Sequence, residues 1–185
     1  MKTLILLIIS GLSSVHATAA VIYSNIATAN SVSGIIVGWS SPNLYDVADA
    51  FTTNGVSYTL EEASVSVKRN TGSQPLIAHI WSDSFNRPGS ILATSEVPAS
   101  GIATIGTTIA IFSFSEELKL LPDNQYWFSL TSLTGGEYVW KTSTSNEYPE
   151  VYRRNGGAWN GPVSPMSGFE LRGTVVPEPS VPLLM

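Results

Sequence analysis

The sequence predicts an all-β protein, an antiparallel β-sandwich of jelly-roll-like design, and three observations carry that prediction. Apolar and polar residues alternate with period two in short segments, as in Ala63-Ser64-Val65-Ser66-Val67. Turn chemistry separates these segments at Thr53-Asn54-Gly55, Asn70-Thr71-Gly72, Asn86-Arg87-Pro88-Gly89, Leu121-Pro122-Asp123-Asn124 and Asn155-Gly156-Gly157. Helical periodicity is almost absent. The one helix candidate, Ser115-Glu116-Glu117-Leu118, is a single turn at most, and Leu118-Lys119-Leu120 alternates like a strand.

After Ala63–Val67, the next strand is Leu76-Ile77-Ala78-His79-Ile80-Trp81, entered through Pro75. The stretch from Ile105 to Phe114 is rich in Thr, Ile and Phe. Ile109, Ile111, Ser113 and Ser115 do not keep one clean face, so a bulge or bend is expected. Tyr126-Trp127-Phe128-Ser129-Leu130 forms another strand. Tyr138-Val139-Trp140 follows the Gly135-Gly136 turn, which reads as a hairpin. Phe169-Glu170-Leu171-Arg172-Gly173-Thr174-Val175 closes the domain, again with period two. Short strands at this spacing point to a sandwich or jelly roll rather than to alternating β/α units.

The chain has 185 residues, which fits one domain. Only 12% are charged, about half the usual fraction, so Ser, Thr, Gly and Asn supply most surface polarity, as suits an extracellular β protein. With no cysteine, disulfides, thiolate chemistry and cysteine metal sites are excluded. The fold must rest on core packing and sheet hydrogen bonds. The formal net charge is −5, and Lys68-Arg69 and Arg153-Arg154 read as solvated strand ends, so no nucleic acid partner is expected.

Both ends read as addresses. Residues 1–20 begin with Lys2, continue through an apolar run from Leu4 to Ile9 extended by Gly11 and Leu12, and end in the small residues Ala17-Thr18-Ala19. That is the layout of a secretory signal cut by signal peptidase after Ala19 or Ala20. The alternatives are an uncleaved anchor helix or a buried strand, but the run is shorter than the roughly 20 residues needed to span a bilayer. Residues 21–175 form the β domain. Residues 176–185 contain Val176-Pro177-Glu178-Pro179-Ser180, whose prolines cannot continue a strand and leave an extended tail.

Pro177, Glu178 and Pro179, preceded by valine and followed by Leu183-Leu184, resemble the start of a PEP-CTERM sorting signal. In that family the motif precedes a transmembrane helix and a basic cluster, and an exosortase-type transpeptidase of polysaccharide-producing Gram-negative bacteria is thought to process it. The sequence given stops at Met185 without helix or cluster, so the signal reads as truncated. Residues 21–175 also resemble the choice-of-anchor R domain of exported proteins. The resemblance rests on an opening Val21-Ile22-Tyr23-Ser24-Asn25, then Ala48-Asp49-Ala50-Phe51-Thr52-Thr53 before Tyr58-Thr59-Leu60. Ile80-Trp81-Ser82-Asp83 then runs into Pro88-Gly89-Ser90-Ile91-Leu92-Ala93, and Leu118 to Leu121 leads to Pro122-Asp123-Asn124-Gln125-Tyr126-Trp127. No catalytic residues come with that family.

His79 is the only histidine beyond residue 20, and it shares strand parity with Ile77 and Trp81, facing the core or a covered face. A general base is the sharp reading; a structural histidine is the favoured one, and no G-x-S-x-G elbow accompanies it. Glu61-Glu62 and Glu116-Glu117 are adjacent carboxylates, which strands point to opposite faces, so neither pair forms a glycosidase site alone. Glu170 with Asp83 or Glu137 stays open. Asp83 and Asn86 are weak candidates for calcium, with an Asx-type turn favoured. Trp159, in the loop Gly156-Gly157-Ala158-Trp159-Asn160-Gly161-Pro162, is the best candidate for stacking on a sugar, and Trp140 and Tyr152 join it as candidate carbohydrate-binding residues.

The leading expectation is therefore an exported, non-catalytic protein of a Gram-negative cell surface or extracellular matrix, associated with polysaccharide. A carbohydrate-binding module is the second, and an extracellular hydrolase or lyase the third. No catalytic residue, cofactor or metal is expected.

Overall fold

The computed structural model describes residues 19–26, 34–143, 150–163 and 167–177. Residues 1–18, Glu178, Pro179 and the rest of the tail lie outside them, and with them most of both predicted addresses. Twelve strands run through the described chain: β1 Ala20–Ser24, β2 Gly34–Ser40, β3 Asn43–Thr52, β4 Tyr58–Thr71, β5 Leu76–Asp83 and β6 Pro88–Val97, then, after a 3₁₀ turn at Ala99–Gly101, β7 Thr108–Leu120, β8 Gln125–Ser132, β9 Glu137–Lys141, β10 Glu150–Arg154, β11 Asn160–Val163 and β12 Phe169–Val175.

All pairings are antiparallel, and they join the strands into one sheet in the order β1-β12-β4-β9-β2-β3-β8-β5-β6. β7 adds to β4, and the β10–β11 hairpin adds to β3. The sheet folds over at the β2–β3 hairpin and packs on itself, the all-β sandwich that alternation predicts. Phe128 of β8 stacks on Phe169 of β12 with ring centroids 5.0 Å apart and meets Trp140 of β9 edge-on at 5.6 Å. Phe51 of β3 and Tyr23 of β1 complete the ring cluster at 6.2 Å.

Period two explains which side chains enter. In β5, Leu76, Ala78 and Ile80 are fully buried, and in β12 Phe169 and Leu171 are too. Ser95 Oγ of β6 donates to the Ser113 carbonyl of β7 at 2.7 Å, tying the two layers at the far edge.

Three details differ from the sequence reading. Ser115–Leu118 is part of β7, not a helical turn. The expected irregularity in β7 falls just past Phe112: Glu62 faces Ser113 and Leu60 faces Leu118, so β7 carries extra residues opposite Glu61. The Gly135-Gly136 turn does not close a hairpin. β8 pairs with β3 and β5, β9 with β2 and β4, so the turn carries the chain from one layer to the other. Glycine is required at position 72, which packs against this turn, because a Cβ on Gly72 (φ 83°) would overlap the Gly135 carbonyl oxygen.

Candidate functional site

The register of β10 on β3 builds the site. Glu150 lies opposite Asp49, Tyr152 opposite Val47 and Arg154 opposite Tyr45. Residues directly opposite in an antiparallel pair share a face, so these six form one row. The row runs from interior to solvent: Asp49 and Glu150 are 0% and 1% exposed, Tyr152 is half-buried and Arg154 is exposed. Its outer part walls a groove of about 410 Å³, which Ile35, Ile36 and Ser40 of β2 complete.

The groove wall is held firmly. Asn155, in the left-handed region at φ 52°, accepts the Leu44 N–H on Oδ1 at 2.8 Å, while its own N–H donates to the Leu44 carbonyl at 2.8 Å. The Arg154 guanidinium lies 5.4 Å from the Tyr45 ring centroid. Among the described residues the ion pairs are Arg153–Asp46 and Arg172–Glu170, so Arg154 faces the groove without a carboxylate. Two tyrosine rings, two isoleucines and an open guanidinium offer apolar faces beside strong donors, the mixture a sugar ring needs.

At the inner end of the row Asp49 and Glu150 meet without a cation. Glu150 Oε2 accepts the Ser167 hydroxyl at 2.7 Å, and Asp49 Oδ2 accepts the Ser167 N–H at 3.3 Å. Asp49 Oδ1 and Glu150 Oε1 are buried with no donor. Burial raises the Asp49 pKa well above its ordinary value, with the Glu150 charge adding to the effect. Burial likewise pushes Glu150 up to about 7, opposed by its hydrogen bonds with Ser167 and Asp49. Neither carboxyl meets solvent, so no glycosidic bond can reach the pair.

The opposite face of β3 and β10 builds something else. Ala48, Ala50, Trp81, Trp127, Val151 and Trp159 form a second buried cluster outside the sandwich. Trp81 and Trp159 meet edge-on at 5.7 Å. The Arg153 guanidinium lies 5.1 Å and 4.8 Å from their ring centroids and reaches Asp46 with Nε at 2.5 Å. Arg87 donates to the Trp159 carbonyl, fastening the loop.

This placement corrects two of the three carbohydrate-binding candidates. Trp159 is only 8% exposed, and Trp140 is fully buried, its Nε1 donating to the Gly168 carbonyl at 2.9 Å. Neither offers a free ring face. Flanking Gly and Asn mark a loop, but they do not say to which side its tryptophan folds. Tyr152 lines the groove. Tyr45 and Arg154, absent from the sequence-level candidates, stand beside it.

His79 sits half-buried on the outer face of β5, with Nδ1 2.9 Å from Thr94 Oγ1 and its ring edge-on to Trp81 at 5.7 Å. Burial lowers its pKa; Asp46 pulls it up and Arg153 pushes it down. Asp83 Oδ1 accepts Trp127 Nε1 and Gln125 Nε2, each at 2.8 Å, and Oδ2 accepts the Asn86 N–H at 3.4 Å. It anchors the β5–β6 turn, in which Phe85 and Asn86 both have positive φ. Asn86 enters that arrangement through its backbone. Glu61 accepts from Thr174, Glu137 from Asn70, and Glu170 from Ser24 and Arg172, so each carboxylate left open by the sequence has its own neighbours. Among the described residues no group of three or more His, Cys, Asp and Glu is placed to hold a metal, and no helix is long and apolar enough to cross a membrane.

Fold and site together define an all-β sandwich with a surface groove walled by tyrosine and arginine. No family model matches the chain, and no curated protein matches it either.

Proposed function

We propose that this chain is an exported, non-catalytic module of a Gram-negative cell surface or extracellular matrix that holds polysaccharide in the Tyr45–Tyr152–Arg154 groove. The observation that carries the binding step is the row on β3 and β10, which presents two tyrosines and an arginine with no carboxylate partner among the described residues, beside a cavity of about 410 Å³. Groove volumes of about 300–1,000 Å³ accommodate small ligands or a segment of a polymer. Delivery rests on the signal-like residues 1–20 and on Pro177-Glu178-Pro179, which supports sorting by an exosortase-type enzyme.

Affinity electrophoresis of the purified domain against acidic and neutral polysaccharides tests the binding step. Retardation is expected, and Tyr152→Ala is expected to abolish it in a protein that still unfolds cooperatively, with a melting temperature lowered by loss of the half-buried ring. Retardation unchanged by Tyr152→Ala, or none with any polysaccharide tried, removes the groove reading. Cell fractionation tests export independently: recovery solely from cytoplasm is the result that defeats it.

A further inference from the structure

The β10–β11 hairpin is an appendage. Among the described strands β11 pairs only with β10, and β10 reaches the sandwich through β3 and through the contacts of its two faces. What fastens its first residue is the Asp49–Glu150 pair. We propose that this pair is a latch closed by one shared proton, so that losing the proton frees the β10–β11 hairpin and slackens the groove wall formed by Tyr152 and Arg154.

Four oxygens carry the argument. Two of them, Glu150 Oε2 and Asp49 Oδ2, take the hydroxyl and the N–H of Ser167. The other two, Asp49 Oδ1 and Glu150 Oε1, are buried and have no donor. A single proton between these two supplies the missing donor to both at once. Without it, two anions sit opposite each other on one face, removed from water, and repel.

The surroundings offer no substitute for that proton. Ser167 is neutral, as are Asn25, which accepts the Phe169 N–H at 2.7 Å, and Ser143, which donates to the Asn25 carbonyl at 2.8 Å. Arg153 and Asp46 belong to the opposite face and neutralise each other. Arg154 lies at the solvent end of the row, on Tyr45. A divalent cation would need some six to eight oxygen ligands if calcium, and only two carboxylate oxygens here are uncommitted.

The direction follows from burial. Both carboxyls hold protons more tightly than in the unfolded chain, Glu150 to about 7. A raised carboxyl pKa stabilises the closed state below the ordinary carboxylate range, and the contribution is lost as pH rises through about 7. Glu150 gives up the first proton near 7, whereas the shared proton leaves with Asp49, which burial and the Glu150 charge hold well above the ordinary carboxylate range, so the latch is closed in mild acid and opens in alkali. Only its effect on ligand rests on the proposed function; the latch itself does not.

Amide hydrogen exchange of the full chain, corrected for intrinsic rates, reads the latch without any ligand. From mildly acidic to alkaline pH, protection of the Val151–Arg154 amides is expected to fall at least about tenfold, while β4 and β7 keep theirs. Asp49→Asn and Glu150→Gln, each leaving one neutral partner, are expected to flatten that fall. Flat protection in the parent, or the same fall in both variants, overturns the proposal. So does calcium that restores protection at alkaline pH, since a metal would then be the closing group. Should the variants fail to fold, infrared spectroscopy of the parent decides: the carbonyl stretch of a buried protonated carboxyl must be present at mildly acidic pH and vanish at alkaline pH. Because no polysaccharide enters these measurements, a groove that binds none leaves the latch result standing.

Discussion

The two buried clusters of this molecule are built by different rules. The main core draws on β1 to β9 and β12, and strand alternation alone fills it with Val, Leu, Ile and stacked Phe rings. The outer cluster has six members, three of them tryptophan, and its cover is a single hairpin. It also depends on polar ties: Arg153 between two indoles and bonded to Asp46, Arg87 on the Trp159 carbonyl, and Trp81 Nε1 on Ser129 Oγ at 2.8 Å. Apolar area makes the first cluster robust, whereas the second holds only while a few specific bonds persist. The groove and the acid pair lie on the other face of β3 and β10, beside the main core, and share with the second cluster only the hairpin that carries both.

Truncating the main core gives the largest effect that this contrast predicts. Phe128→Ala removes a ring that contacts both Trp140 and Phe169, and a loss of about 3–5 kcal/mol in urea unfolding is expected, felt at every amide that exchanges by global opening. Trp159→Ala is expected to cost about 2 kcal/mol, because a loop can collapse around the void, and to strip protection from β10 and β11 first. Equal, global losses for the two variants would break the distinction between the clusters.

The next effect is smaller and depends on pH. With Glu150 raised from 4.5 to about 7 by burial, stability is highest in mild acid and declines as pH rises through that value, by on the order of 1–3 kcal/mol. Melting temperature followed across this range checks it, and Glu150→Gln, which removes the titrating group, should remove most of the slope. The smallest effect is at Arg154. Arg154→Gln is expected to leave stability within about 0.5 kcal/mol, since the residue is exposed, while weakening retardation by acidic polysaccharide more than by neutral. Loss of stability instead would make Arg154 a structural tie of the groove wall through Tyr45.

The main core was legible in the sequence, the outer cluster and the groove much less so. Val65, Val67, Ala78 and Ile80 announce their buried faces by alternation, and the structure buries them. β8 hides the same signal because both of its faces are covered, so the residue-by-residue pattern goes flat. The site was obscured for a different reason: it is a product of register. Asp49 and Glu150 lie in distant parts of the chain, and only the alignment of β10 on β3 sets them opposite each other. One trace was visible. An aspartate between Val47-Ala48 and Ala50-Phe51 is an acid inside an apolar strand, and such a residue demands a partner. Trp159 misled because loop composition reports backbone freedom, not the destination of a side chain.

The first described strand has the last as its only sheet neighbour, with Ala20 across from Gly173 and Ser24 across from Glu170. As a ribosome delivers this chain, the backbone of Ile22 and Tyr23 gains its described sheet partner only when β12 emerges. Closure of the first strand therefore waits on Phe169–Val175, a pairing of high sequence separation. A circular permutant that joins these neighbouring ends by a short linker and opens the chain at the Ser84–Arg87 tip would convert the slowest pairing into a local one. It should reach the same native sheet sooner.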